Sequence, residues 1–357
     1  MSKTQIATGG IADDAVSTAK VLNDSRIVTP LIINGDMAVA QRATSTTGIG
    51  ADTAFVCDRW AYREAGSISF RATISQSTTV PTGQGFLTSL KVDCTTAESS
   101  LASADRFGID QKIEAQNLVN LKQGTSSADK TTLSFWVRSN LTGQFNIWIY
   151  KEDNTARSFV KAYTINSADT WEKKIINIPA DTDSSGVINN DNGEGWRITW
   201  MLAAGSNFTS GSIGTSWENH TAANTGVSQT NFASSTDNEF YLTGVQLEVG
   251  EFDSDTIPPF PFESFSSNIE RCQRYYQNYG SWRMWFTFLD GNTSDRVAGH
   301  MVFMTKMRAA PTATKTSSNI DSFDSFATYD VGIRSFAYRS GRAGTSYVDS
   351  ITADAEL

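Results

Sequence analysis

Residues 31–250 alternate apolar and polar side chains with period two, run after run, and Gly/Asn/Ser turns separate the runs. In 67–74, Ile68, Phe70, Ala72 and Ile74 share one side; in 86–94, Phe86, Leu90, Val92 and Cys94 do. Residues 131–138 set Leu133, Phe135 and Val137 opposite Trp136 and Arg138. Residues 145–150 set Phe145, Ile147 and Ile149 opposite Trp148 and Tyr150, and 159–165, 171–178, 196–202 and 240–249 continue the pattern. A strand with that parity buries one face and not the other. Many such strands with no helical stretch between them predict two packed antiparallel sheets, with polar loops at 81–85, 180–195 and 205–237.

The rest of the chain divides around this block. Residues 1–27 form an N-terminal arm in which Ile6, Ile11, Val16 and Val21 recur every fifth position. That period fits neither a helix face nor a strand. Such a thin stripe orders only against sister chains or a larger assembly, or else stays a disordered tail. The sandwich spans 28–256. Residues 257–280 open with the Pro-rich IPPFP and continue into a short linking helix over 266–277, capped by Ser266 or Ser267 and ended by Gly280. Phe265, Ile269, Cys272 and Tyr276 fall on one face of that helix, which makes Cys272 a small buried hydrophobe. Residues 281–357 return to strand patterning as a small C-terminal β tip domain, with 297–304 pairing back on 282–288. The fold expected is mainly β.

Composition narrows the function classes. Lys and Arg number 29 against 38 Asp and Glu, a net charge of −9, which argues against a nucleic-acid partner. No run of apolar residues is long enough for membrane insertion, and the start of the chain lacks a secretory pattern. Three scattered cysteines and two distant histidines, His220 and His300, supply neither a thiolate metal site nor a catalytic triad. Asp181-x-Asp183-x-Ser185-Gly186 matches the start of a calcium loop, but Asn192 stands where a bidentate Glu belongs. The expectation is a chain with no cofactor, no metal and no catalytic residue.

Several segments carry a resemblance. VTPLIINGDMAVAQRA at 28–43, then Asp58-Arg59-Trp60, resembles the opening of sandwich domains of phage tail fibres and other virion appendages. FYLTGVQLEVG at 240–250, Pro-Phe-Glu at 261–263 and RCQRYY at 271–276 resemble their closing strand and helix. MRAAP at 307–311 and the final ITADAEL resemble their tip domain, and IATGGIADDAVSTAKV at 6–21 resembles the anchoring segments of fibres. Residues 111–237 also look like a carbohydrate-binding jelly-roll module. The resemblance implies a homotrimer in a virion, made in the host cytoplasm, joined to other tail or virion proteins through residues 1–27. It also implies host surface polysaccharide as partner.

Sugar recognition needs flat aromatic rings beside polar groups. If the strands of 131–138 and 145–150 are neighbours, Trp136, Arg138, Trp148 and Tyr150 form one aromatic shelf. That shelf contacts glycan, is covered by a sister subunit, or is itself core. Tyr338 and Arg339 in the tip domain are a second candidate receptor contact. The alternative function is a polysaccharide depolymerase; no carboxylate pair in the sequence identifies one.

Overall fold

A computed structural model describes residues 29–50, 54–151, 153–280, 284–286, 297–316, 326–329, 331–340, 346–348 and 350–357. The arm with Ile6, Ile11, Val16 and Val21 lies outside the described residues.

The sandwich strands are, in chain order, β1 (Ser45–Ile49), β2 (Ala54–Phe55), β3 (Ala61–Ala65), β4 (Arg71–Ser77), β5 (Ser89–Thr96), β6 (Arg106–Glu114) and β7 (Thr131–Ser139). There follow β8 (Gly143–Lys151), β9 (Arg157–Ile165), β10 (Glu172–Ile178), β11 (Glu194–Ala204), a helical turn α1 (Ser206–Thr209), β12 (Glu218–Asn219) and β13 (Glu239–Val249). A six-stranded sheet runs β1-β4-β5-β13-β7-β10 and a seven-stranded sheet runs β12-β9-β8-β11-β6-β3-β2. From β5 to β13 the chain changes sheet at every step except the β8–β9 hairpin and the short edge strand β12. That winding makes the central strands an antiparallel jelly roll.

The alternating residues meet between the sheets. Leu133, Phe135 and Val137 of β7 and Phe145, Ile147 and Ile149 of β8 are fully buried in one core with Ile74, Leu90 and Trp200. Trp200 packs edge-on against Trp60 at 5.3 Å and Phe135 at 5.5 Å between ring centroids. Each such ring removes about 150–250 Å² from water, several kcal/mol at about 25 cal/mol per Å².

Beyond the sandwich, helix α2 (Phe265–Gln273) is shorter than the sequence spacing predicts and is capped by Ser264, whose Oγ accepts from the Ser267 amide at 3.1 Å. Phe265 is exposed, while Cys272 is buried with Ile33, Val39 and Tyr275. Tyr276 has left the helix for β14 (Tyr276–Asn278), because a strand from the far end of the chain claims its backbone. The later strands are β15 (Met284–Phe286), β16 (Val297–Val302), β17 (Thr312–Thr316), β18 (Phe326–Tyr329), β19 (Ser335–Ser340), β20 (Ser346–Val348) and β21 (Ser350–Asp354). β21 lies between β14 and β17. β16 pairs with β19 and β15 with β20, so among the described residues the expected pairing of 297–304 with 282–288 does not form.

A charged joint ties sandwich, helix and C-terminal strands together, and the segments that carry the virion-fibre resemblance build it. Asn34 takes a left-handed backbone (φ 56°), which Asn tolerates. Its side chain bonds Val39 and Asp58, and its carbonyl accepts from Trp60 Nε1 at 2.8 Å. Glu114 at the end of β6 receives two bonds of 2.7 Å from Arg274 and one of 2.5 Å from the Tyr275 hydroxyl. The buried Arg59 pairs with Glu356 and lies 3.5 Å over the Tyr275 ring, and Arg42 reaches Asp354 at 2.9 Å.

Candidate functional site

The jelly-roll winding decides where the sequence-predicted residues go. β7 and β8 are consecutive but belong to different sheets. Trp136 and Arg138 therefore stand on the outer face of the six-stranded sheet and Trp148 and Tyr150 on the outer face of the seven-stranded one. The four do not form a shelf. Trp136 packs over Gly244, which has φ +62° and no room for a Cβ: one would come within 2.9 Å of the indole. Arg138 lies 4.9 Å over the Tyr241 ring and bonds the Asp169 carboxylate at 2.8 Å. Tyr338 and Arg339 sit on β19 opposite Gly299 and Ala298; their side chains lie outside the described part of the structure.

Trp148 is not an open platform. It is 4% exposed, with the His220 ring stacked 5.5 Å away at 26° and the Arg106 guanidinium over it at 4.8 Å. The β11–β13 connection supplies this cover: α1 brings Phe208, and the loop beyond brings Ile213 and His220.

Beside Trp148 the outer face opens into a groove of about 110 Å³ across β3, β6, β11 and β8, lined by Arg63, Arg106, Asp110, Trp148, Arg197 and Thr199. The parity of β6 puts Arg106, Gly108, Asp110 and Lys112 outward while Phe107, Ile109 and Ile113 enter the core. β11 likewise turns Arg197, Thr199 and Met201 outward. Gly108 keeps the floor low, since a Cβ there would meet the Trp200 carbonyl oxygen at 2.4 Å.

The charges of this face are mostly committed. Arg63 pairs with Asp110 at 2.8 Å, and Glu194 takes Lys112 at 2.6 Å and Arg197 at 2.8 Å. Burial pushes the Asp110 carboxyl up, opposed by Arg63 and Arg197. Burial lowers Lys112 against the pull of Glu194. Burial also lowers Arg106, the neighbouring Arg197 cation adds to that, and Tyr150 opposes it. Three buried donors on the groove, Trp148 Nε1, Arg197 Nε and Thr199 Oγ1, have no hydrogen-bond partner among the described residues.

Two other places bear on the search for a site. The calcium-like turn is filled from within: Asp181 takes Lys151 Nζ at 2.8 Å and Arg157 Nε at 2.7 Å, all three groups being buried. The sequence pattern missed this because Lys151 and Arg157 come from β8 and β9, far upstream of the turn. Among the described residues no three His, Cys, Asp or Glu side chains gather as a metal site. A wider hollow of about 490 Å³ beside α2, lined by Leu31, Ile33, Leu121 and Tyr275 among others, carries Arg271 and Arg274. Both arginines are already paired, with Glu263 and Glu114.

Arg63, Arg106, Asp110 and Arg197 were not singled out by the sequence reading. The available signal was the alternation of 106–114, with charged residues on the face opposite the apolar ones.

No protein-family model matches the chain, and no curated protein matches it. Solved structures do. A putative sugar-binding protein from Bacteroides thetaiotaomicron is 13% identical, over 62% of this chain and 100% of that one, with a TM-score of 0.33. A family 11 carbohydrate-binding module from Clostridium thermocellum, in complex with a β-1,3-1,4-mixed-linked tetrasaccharide, is 10% identical over 59% and 98%, with a TM-score of 0.30. The enzymatically active domain of tailspike protein 4 of bacteriophage CBA120 is 12% identical over 54% of this chain, with a TM-score of 0.30, and the match spans 19% of the tailspike chain. The solved structures similar to this chain thus include sugar-binding modules and part of a phage tailspike.

Proposed function

We propose that this chain is a glycan-contacting structural component of a virion appendage and that the groove on the seven-stranded sheet is where the sugar sits. The observation that carries the reading is that three residues lining one groove, Trp148, Arg197 and Thr199, each hold a buried donor with no hydrogen-bond partner among the described residues. A buried donor left unpaired costs about 1–3 kcal/mol. Sugar hydroxyls are acceptors spaced to meet several such donors at once. The role is adhesive rather than catalytic: Asp110 is held by Arg63, and Glu64 accepts from the Tyr62 hydroxyl at 2.7 Å.

The setting rests on the sequence resemblance of 28–43, 240–250 and 271–276 to virion fibres. In that setting the chain is a homotrimeric tail fibre, attached through the arm of Ile6, Ile11, Val16 and Val21, and host surface polysaccharide is its partner. Three copies convert weak single contacts into useful avidity. The test is a glycan array probed with the full chain and with Trp148→Phe, which removes the Nε1–H and keeps an aromatic ring. Retention of a glycan class, weakened about tenfold in a variant that still melts cooperatively, is the expected result. Retention of no glycan, or unchanged binding by the folded variant, overturns the assignment of the groove.

A further inference from the structure

We infer that the groove takes an acidic saccharide, one bearing a carboxylate or phosphate, and that Arg106 reads the anion; this rests on the groove being the glycan site. Arg63, Lys112 and Arg197 each have a carboxylate partner. The Arg106 guanidinium forms no ion pair or hydrogen bond among the described residues, in a chain that holds 38 acidic residues against 29 basic ones. Its contacts are two rings, Trp148 at 4.8 Å and Phe208 at 4.5 Å.

Rings hold a guanidinium by attraction to its charge and do not accept the N–H donors along its edge. Those donors form a planar fork that a carboxylate or phosphate takes two at a time. A neutral hydroxyl satisfies one donor and leaves the charge where it was. Arg197 borders the same groove, and its Nε has no hydrogen-bond partner among the described residues. An anion seated there relieves the repulsion between the two cations that already lowers Arg106. The aromatic clamp also fixes the long side chain in advance, so little rotamer freedom remains to be lost on binding.

The experiment uses the full chain on an array bearing uronate, sialate, phosphorylated and neutral glycans. Arg106→Gln and Arg106→Lys are run beside it, and each variant's melting curve is recorded. The expected result is retention of an acidic class at least about tenfold above its neutral analogue. That preference is abolished in Arg106→Gln, reduced in Arg106→Lys (charge kept, fork lost), and weakened by added salt. The uronate, sialate and phosphate features separate the two anion chemistries. Equal retention of neutral glycans, or a preference untouched in a folded Arg106→Gln chain, overturns this inference and leaves the glycan reading standing. Retention of no glycan by any form removes the glycan reading and this inference with it.

Discussion

Inside the sandwich, Trp60, Phe135 and Trp200 meet at 5.3 and 5.5 Å within the apolar core. At the joint, buried Arg59 pairs with Glu356 and buried Glu114 with the half-buried Arg274 and the Tyr275 hydroxyl. The two regions are held by different physics. Apolar packing is additive and tolerates repacking. A buried ion pair gains little over an apolar pair of the same shape, yet it punishes any arrangement that leaves one charge alone. The core therefore stabilises the sandwich, and the joint fixes how helix α2 and strand β21 dock on it.

Trp200→Ala breaks the apolar side of this contrast and carries the largest effect, about 3–5 kcal/mol by chemical denaturation. A loss below about 1 kcal/mol would mean that the rings are not a packed unit. The joint is sharpened by comparing Glu356→Gln, which strands Arg59 and costs about 3 kcal/mol, with the double replacement Arg59→Met/Glu356→Leu. The double variant is expected to recover most of that loss, and a double variant as unstable as the single shows that the pair adds stability in its own right.

The smallest effect is acid sensitivity. Burial acts to raise the Glu114 carboxyl, but bonds from Arg274 and Tyr275 outweigh it and hold the group below its ordinary 4.5. A depressed folded-state value gives stability that is present above the unfolded value and lost as pH falls through the folded one. Melting temperature is expected to drop as pH falls below 4.5, and Glu114→Gln to flatten that limb of the curve. An unchanged limb in the variant would assign the acid loss to other carboxylates.

Much of the sandwich was legible because period-two parity is a local signal: Ile68, Phe70, Ala72 and Ile74 are all buried, as their spacing predicts. What alternation cannot encode is which sheet a strand joins. The shelf of Trp136, Arg138, Trp148 and Tyr150 failed on that point alone, since the β7–β8 turn crosses between sheets. Parity also says which side a residue takes and not what covers that side. Trp148 faces outward as expected and is sealed by His220, some seventy positions later in the chain. The calcium-like spacing of Asp181 and Asp183 was equally blind to Lys151 and Arg157 on other strands. Helix α2 lost its last turn to a strand that pairs with Tyr276 from the end of the sequence.

The link between Arg59 and Glu356 spans 297 positions. A ribosome adding about 5–20 residues each second releases β13 several seconds before it reaches Glu356. During that interval the sandwich strands are complete while Arg59 still lacks Glu356, so the joint closes only after the layers it docks on have been made.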